Sequence, residues 1–183
     1  MVIDKAWMDL WSNCSSCGLC KTAVKHVLFR GSLENNPVAF IGIGPGKSEN
    51  VLGEPFVGPA GRILSRAEDD SGISNLPLIH FNLVACRPCD SRTGPNRDPT
   101  QFEIDACSSR VREIISSVKP RAFILLGKLV QLQIKKNLSL LSYAAVPTLL
   151  IHHPAYISRN GGIGSSVYQR YVESLRNFSR GIQ

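Results

Sequence analysis

The sequence predicts an α/β fold of three layers, α/β/α, in which helices cover both faces of a parallel sheet. Three observations predict this fold. Four short apolar runs recur along the chain, segments with helical patterning lie between them, and 183 residues are enough for one domain with a sound core and no disulfide bonds. We therefore expect a single domain over residues 1–183.

Each apolar run is a candidate for a buried strand, because its length and composition are those of a strand rather than of a helix. The segments between the runs carry the patterning of helices that would cover the sheet. The strand candidates are VAFIGIG (38–44), LIHFNLVAC (78–86), RAFILLG (121–127) and PTLLIHH (147–153), and the helix candidates are AGRILSRAEDD, PTQFEIDACSSRVREIISSV, KLVQLQIKKNL and SSVYQRYVESLRNFS.

The charge balance favours a polyanionic partner. Lys and Arg number 21 against 14 Asp and Glu, a formal charge of +7, which is typical of nucleic-acid-binding proteins and also of basic surfaces without such a role. No apolar stretch reaches the length of about 20 residues that spans a bilayer, and Asp4, Lys5 and Asp9 interrupt the N-terminal segment where a signal peptide would have its apolar core. We expect an intracellular, cytoplasmic monomer with a polyanionic partner such as nucleic acid and without membrane contact.

The stretch GPGKS resembles the end of a Walker A loop, G-x-x-x-x-G-K-[ST]. Counting back from Gly46, the first glycine of that pattern falls on Ile41, and Gly42 would leave the loop one residue short. Pro45 also removes one of the backbone N–H groups that such a loop directs at phosphate. The sequence therefore disfavours a P-loop nucleotide hydrolase.

Glycine and polar residues lie at or near the ends of all four predicted strands. The first ends at Gly42–Gly46, the second contains Asn82, the third ends at Gly127–Lys128 and the fourth at His152–His153. Ligands of open parallel sheets bind outside the carboxyl ends of the strands. We expect these residues to meet in one cleft.

Disulfide frameworks are rare in reducing compartments, so we expect the six cysteines to be either inert buried thiols or metal ligands. Three Cys-x-x-Cys spacings occur, two of them overlapping in CSSCGLC, and such a spacing lets two thiolates bind one metal from a tight turn. Spacing alone leaves zinc and an iron–sulfur cluster open. The cysteines are Cys14, Cys17 and Cys20 in CSSCGLC, Cys86 and Cys89 in CRPC, and Cys107.

Six segments in register resemble the family 4 uracil-DNA glycosylases, the iron–sulfur branch of the uracil-glycosylase superfamily. They are CSSCGLC, GIGPGKSENVLGEPFVGPAG, NLVACRP, NRDPTQFEIDAC, KPRAFILLG and HHPAYISR. The resemblance implies a three-layer sandwich on a four-stranded parallel sheet. It also implies a [4Fe-4S] cluster rather than zinc, with Cys14, Cys17, Cys86 and Cys107 as ligands and Cys20 and Cys89 outside the cluster. The loop between the third and fourth ligands is longer than is typical of the family.

The resemblance also assigns roles in recognising a base that has been flipped out of DNA. Phe56 would stack on the base, and Asn82 would read its edge, since a carboxamide both donates and accepts hydrogen bonds. His153 would stabilise the departing base anion, with His152 in a supporting role. The alternatives are a core phenylalanine at 56 and a structural pair of histidines.

The first motif of the family corresponds to the turn after the first strand, where glycines allow close approach of the backbone and proline stiffens the turn. Family 4 members usually carry glutamate where this chain has Ile43. Glu49 matches an acidic residue of the family and is the carboxylate of this motif that could position or activate water. The base-binding residues implied by this motif are Gly42, Ile43, Gly44, Pro45 and Gly46.

Four further residues are expected to contact DNA. Ile157 stands where relatives insert an aliphatic wedge into the space left by the base. Arg62, Lys128 and Arg159 are candidates for phosphate contacts, which position the duplex without reading its sequence. Each of the three cations is equally consistent with a solvated surface charge.

These features lead to a DNA N-glycosylase that hydrolyses the bond between a pyrimidine and its sugar and leaves an abasic site. Two substrates are consistent with the apolar Ile43: uracil from deamination, in base-excision repair, and a modified, 5-substituted pyrimidine, as in phage DNA, which would favour a defence role. The alternative from another class is a DNA-binding module that keeps the fold and has lost catalysis.

Overall fold

A computed structural model describes residues 2–34, 36–137 and 146–182 of the protein. Within them the strands form one sheet in the order β1-β3-β2-β4-β5, in which β2 to β5 run parallel and β1 pairs antiparallel with β3. The four predicted strands are confirmed. The fifth, β1, has two residues and is too short to show a pattern in the sequence. The strands are β1 (Arg30–Gly31), β2 (Val38–Gly42), β3 (Leu78–Asn82), β4 (Ala122–Leu126) and β5 (Thr148–Ile151).

The four predicted helical segments are also confirmed, as α3, α4, α5 and α7. Three further helices have six to eight residues, too few turns for a clear helical period. No helix in the described part of the chain is both long enough and apolar enough to cross a membrane. The helices are α1 (Lys5–Ser12), α2 (Lys47–Leu52), α3 (Pro59–Ser71), α4 (Gln101–Val118), α5 (Lys128–Asn137), α6 (Pro154–Arg159) and α7 (Ser166–Gly181), with short 3₁₀ turns at Gly18–Lys21 and Ile73–Asn75.

Helices pack on both faces of the sheet. In β2, Ala39 and Ile41 join a buried cluster with residues of α1 and α4, whereas Val38 and Phe40 join a second cluster with residues of α3, α6 and α7. Successive side chains of a strand point to opposite faces, so each strand contributes to both clusters. The predicted α/β fold of three layers is thus confirmed, and the extent of the domain, residues 1–183, stays a prediction.

The strand order places the end of β2 at a topological switch point. From β2 the chain moves to β3 on one side and then to β4 on the other. Crevices of open α/β sheets form where the order reverses in this way, because the connections leave the strand ends in opposite directions. Gly42, the last residue of β2, lies at this point.

Candidate functional site

A cleft of about 1160 Å³ opens at the carboxyl ends of the parallel strands, as the sequence predicts. Its walls are the turn after β2, the stretch that leads into α3, the end of β3, a loop before α4, the β4–α5 junction and α6. The expected site residues that line it are Ile43, Gly44, Pro45, Gly46, Glu49, Phe56, Asn82, Lys128, His153 and Arg159. Asn82, Phe56 and His153, the three side chains expected to handle the base, therefore share one cavity.

Gly42 lies beneath the cleft, between two of these side chains. It pairs with Asn82 in the parallel register of β2 and β3. A Cβ atom on Gly42 would fall on Oδ1 of Asn82 and would lie 2.7 Å from Cζ of Phe56. Only glycine at this position lets the carboxamide and the aromatic ring approach each other.

Gly42→Ala is therefore expected to displace Asn82 and Phe56 and to lower any excision rate at least tenfold, at a cost in stability of about 1–3 kcal/mol from overpacking. Gly181→Ala is the matched control, because a Cβ there meets no atom within 4 Å. Single-turnover excision and urea unfolding measure the two effects. A Gly42→Ala variant as active as the control would mean that excision does not depend on the positions of Asn82 and Phe56 beside Gly42.

Phe56 is held in a conformation that is rare for an aromatic residue. Its φ of 56° is in the left-handed region, which costs of order 1–3 kcal/mol for a residue other than glycine. The contacts around it fix this backbone: Gly61 of α3 has no room for a Cβ atom against the backbone of Phe56. The strained residue therefore presents its ring at the end of β2 with little freedom to move.

A buried hydrogen-bonded pair that the sequence analysis missed lies against the Phe56 ring. His80 of β3 contacts Glu68 of α3 through Nε2 at 2.7 Å, and both side chains are buried. The His80 ring stacks on Phe40 at 5.0 Å and meets the edge of Phe56 at 6.0 Å. The available signal was a histidine inside the apolar run LIHFN, which indicates a buried polar contact and does not identify the partner.

Glu49 braces the turn after β2 instead of standing free. Its Oε2 accepts a hydrogen bond from the backbone N–H of Gly46 at 3.1 Å, and its Oε1 accepts from Val57 at 3.1 Å and Gly58 at 2.7 Å. Three N–H donors engage much of the carboxylate's capacity to accept hydrogen bonds. These contacts favour a positioning role over the expected water-activating role, because they tie the turn at Gly46 to the residues after Phe56.

His153 is the N-cap of α6, and its Nδ1 accepts the backbone N–H of Ala155 at 3.2 Å. In a neutral ring this contact places the proton on Nε2. Burial lowers the pKa of His153 and the charge of Arg159 lowers it further, against an opposing effect of Glu49. The ring is thus neutral near pH 7, with one N–H available as a donor in the cleft. The neighbouring His152 is exposed and stacks on Tyr156 at 4.3 Å.

The charged side chains that line the cleft are mainly basic. Lysines and arginines from four segments line it against two carboxylates, those of Glu49 and Asp98, and Glu49 is engaged by backbone donors. Arg62 is exposed on α3 and lies outside the lining. The basic lining residues are Lys47, Arg97, Lys128 and Arg159.

The structure does not support the expected wedge at Ile157. Its side chain is fully buried and belongs to the apolar cluster with α3 and α7. A residue that enters a base stack has to be exposed before DNA binds, and moving Ile157 outward would leave a cavity in that cluster. The exposed members of α6 are instead Tyr156, Ser158 and Arg159.

The turn-rich loop before α4 is organised around a buried arginine that the sequence analysis did not single out. Arg87 is 1% exposed and donates to Oδ1 of Asn96 at 2.6 Å, to the carbonyl of Arg92 at 3.0 Å and to the carbonyl of Gly94. Arg97 then joins the loop to α4 through two hydrogen bonds to Glu103. These contacts place Asn96, Arg97 and Asp98 in the wall of the cleft.

The four predicted ligand cysteines come from three segments and belong to one buried cluster or pack against it. Cys86 and Cys107 are buried in the cluster under α1 and α4, and Cys14 and Cys17 pack against it. Burial raises the pKa of Cys86, and the charges of Cys107, Cys17 and Cys14 raise it further, so these thiols lie within electrostatic range of one another. Among the described residues, no three His, Cys, Asp or Glu side chains are grouped closely enough to hold a metal ion as they stand.

A fully buried cation adjoins the thiols. Arg110 is one helical turn after Cys107 in α4, and it interacts with the charges of Cys107, Cys86 and Cys14. Its Nε has no hydrogen-bond partner in the described part of the chain. Four thiols beside one unneutralised guanidinium fit a thiolate-bound metal centre with net negative charge, because such a centre would supply the missing counter-charge.

Arg110 also contacts the candidate site. One of its terminal nitrogens donates to the backbone carbonyl of Leu28 at 2.9 Å, and the other donates to the carbonyls of Asn82 at 2.5 Å and Leu83 at 3.3 Å. The same side chain thus connects the thiols with Asn82, the residue whose carboxamide is expected to read the base.

The chain has relatives among known proteins. The chain is similar to type-4 uracil-DNA glycosylases of Archaeoglobus fulgidus (32% identical over 116 residues), Saccharolobus solfataricus (38% over 116) and Pyrobaculum aerophilum (37% over 119). These matches cover 63%, 63% and 65% of this chain and 55%, 51% and 58% of the relatives. The chain thus spans about half the length of the curated relatives it matches.

The fold has a solved counterpart. The crystal structure of wild-type Pedobacter heparinus SMUG2 superposes with a TM-score of 0.53 at 12% identity, over 81% of this chain and 76% of that one. At this identity the likeness shows the fold alone. The model of the Uracil DNA glycosylase superfamily matches residues 29–176, which include all five strands and the cleft. The resemblance drawn from the sequence is confirmed, and the chain belongs to the uracil DNA glycosylase superfamily.

Proposed function

We propose that the protein is a DNA N-glycosylase that accommodates a pyrimidine flipped out of DNA and hydrolyses its N-glycosidic bond, leaving an abasic site. The observation that carries the proposal is the shared cleft of Phe56, Asn82 and His153, which presents a ring, a carboxamide and an imidazole N–H in one cavity. Its basic lining suits the phosphates of DNA. The names of the similar proteins support the same reaction class.

In this mechanism Phe56 and Asn82 bind and orient the base. A flipped base loses its stacking partners in the duplex, and the Phe56 ring offers a replacement face. The Asn82 carboxamide donates to one position of the pyrimidine edge and accepts from another. Because Gly42 leaves space for both side chains at the end of β2, base stacking and edge reading would occur at a fixed mutual geometry.

His153 would act on the leaving group. As the bond from the sugar carbon to the base nitrogen breaks, its electron pair leaves with the base and positive charge develops on the sugar. The neutral His153 donates its Nε2–H towards the base oxygen on which negative charge accumulates, and this directed hydrogen bond stabilises the anion. Water adds to the sugar carbon and its proton leaves, so the products are a free base and an abasic sugar.

The pKa of His153 predicts the pH dependence. Since burial lowers that pKa, the excision rate should stay constant as the pH falls from about 8 to the ordinary histidine value of about 6.5. The rate should then fall on further acidification, because a protonated Nδ1 cannot accept the Ala155 N–H and the ring loses its orientation. Single-turnover rates across this range test it. A rate that climbs steadily from pH 8 to pH 6 would instead identify the imidazolium as the active form.

The cofactor of the proposed enzyme is a [4Fe-4S] cluster, with zinc as the alternative. Cys14, Cys17, Cys86 and Cys107 would hold it, and when bound it would link the N-terminal segment, the end of β3 and α4. This role is structural. Iron and sulfide analysis together with visible absorbance distinguishes the two metals, since a colourless protein loaded with zinc would exclude the cluster.

The substrate is uracil or a 5-substituted pyrimidine, and Ile43 is the residue that bears on the choice. Ile43 lines the cleft next to Gly44. Its side chain carries no charge, so it does not disfavour an apolar or bulky substituent on the pyrimidine ring electrostatically. Excision assays on single-stranded and duplex DNA with each base decide between them. Cleavage of uracil at an ordinary rate with no cleavage of the substituted bases would exclude the second substrate class and the defence role.

The second candidate function is a DNA-binding module without catalysis, which the absence of the family glutamate at Ile43 and the bracing of Glu49 favour. Abasic-site formation measured beside DNA binding separates the two functions. Tight binding without product on every base tested would support the module, whereas product that disappears in Asn82→Ala would support the enzyme.

A further inference from the structure

A second cavity of about 350 Å³ lies beside the cleft, between the end of β5, α6 and α7. We call it the side pocket and define it by Lys128, His152, Tyr156, Arg170 and Ser174. It shares Gly127 and Lys128 with the cleft, so the two cavities meet at the β4–α5 junction. None of the proposed steps of base excision uses the side pocket.

The lining of the side pocket is basic. Lys128, at the start of α5, and Arg170, in α7, are exposed and line the pocket, and none of the lining residues that the structure describes is Asp or Glu. The exposed Glu173 of α7 lies outside the lining. The remaining polar groups are imidazole, phenol and serine hydroxyls, which are donors to phosphate oxygens or to bases. A ligand of this pocket is therefore anionic.

The pocket also offers an aromatic face. The rings of His152 and Tyr156 are stacked at 4.3 Å with an interplanar angle of 21°, and both residues are exposed. Exposed aromatic rings beside cations are the combination with which proteins bind unpaired nucleotides, because every base has a face that can stack. A simple inorganic anion would leave this face unused.

We propose that the side pocket binds one unpaired nucleotide of the DNA strand that carries the flipped base, with its base against Tyr156 and its phosphate between Lys128 and Arg170. This proposal rests on the proposed function, since it is the strand leaving the cleft that would reach the pocket across Gly127. A nucleotide bound there is unstacked from its duplex neighbour, so the pocket favours single-stranded DNA over duplex.

The test uses a series of single-stranded oligonucleotides with one target base and zero to six nucleotides on either side. For the wild type, kcat/KM should rise in one step when nucleotides are added on one side of the target base. It should not rise when they are added on the other side. Arg170→Gln and Tyr156→Ala should each reduce that step about tenfold, equivalent to about 1.4 kcal/mol, and leave kcat/KM for the shortest oligonucleotide unchanged. Arg180→Gln, an exposed arginine farther along α7, is the matched control and should retain the step.

A second measurement, DNA affinity by fluorescence anisotropy, tests the side pocket without requiring base excision. With oligonucleotides that lack a target base, Arg170→Gln should lower the slope of log affinity against log salt by about 0.7, the value for one phosphate contact on a single strand. If no base is excised but Arg170→Gln still lowers the salt slope, the proposed function is wrong and nucleotide binding in the side pocket is supported. Equal flank dependence and equal salt slopes in wild type and both variants would overturn the pocket.

Discussion

Replacement of His153 by alanine should lower the single-turnover rate of excision by about 10²–10³-fold, the usual effect of removing one donor to a developing anion. The expected loss is large because Nε2–H of His153 is held by the N-cap contact of Nδ1 with Ala155, so no reorientation is needed during the reaction. Rapid-quench assays with excess enzyme measure the chemical step apart from product release.

His152→Ala is the matched control for this variant, because it removes an imidazole from the adjacent, exposed position. It should change the rate on a short oligonucleotide by less than about threefold, since a surface substitution of this kind normally costs within 0.5 kcal/mol. If His153→Ala retains the full rate and Asn82→Ala does not, another group in the cleft must stabilise the anion.

Replacement of Arg110 by methionine should destabilise the fold by about 2–5 kcal/mol, because it leaves buried backbone carbonyls without donors. Those carbonyls belong to Leu28, Asn82 and Leu83, in the strand region that carries the site. Removing the charge beside the thiols should also lower the metal content of the purified protein. Urea unfolding and metal analysis measure the two effects.

Arg110→Lys separates the charge from the hydrogen bonds. A lysine keeps the positive charge near Cys107 but cannot span the carbonyls of Leu28 and Asn82 with a planar group. We expect metal content closer to that of the wild type together with much of the loss in stability. An Arg110→Met variant with unchanged unfolding midpoint and unchanged metal content would show that the buried cation stabilises neither the strand end nor the thiols.

Much of the fold could be predicted because its elements have sequence patterns of their own. The runs that became β2 to β5 are mostly apolar, because their side chains join the buried clusters on the two faces of the sheet. The short elements β1, α1, α2 and α6 were missed. Two to eight residues carry too little periodicity to be distinguished from loops, and the surrounding structure determines their conformation.

The candidate site could be predicted in part. Asn82 and His153 follow strands, so the rule for parallel sheets placed them at one edge, and the structure adds Phe56 to the same cleft. The buried partners His80–Glu68 and the guanidinium of Arg110 were missed, because nothing in a linear sequence pairs a charge with its distant partner. Ile157 was placed at the DNA surface by resemblance, whereas the orientation of α6 turns it into the core.

The sequence by itself determined the layered α/β class, the family, and the residue types at the strand ends, because these depend on local patterns of apolar, glycine and polar residues. Only the tertiary structure decided which of those residues share a cavity, that Glu49 braces a turn, and that Arg110 joins the thiols to Asn82. These are properties of contacts between segments far apart in the chain, and such contacts form only when packing of the sheet and helices brings the segments together.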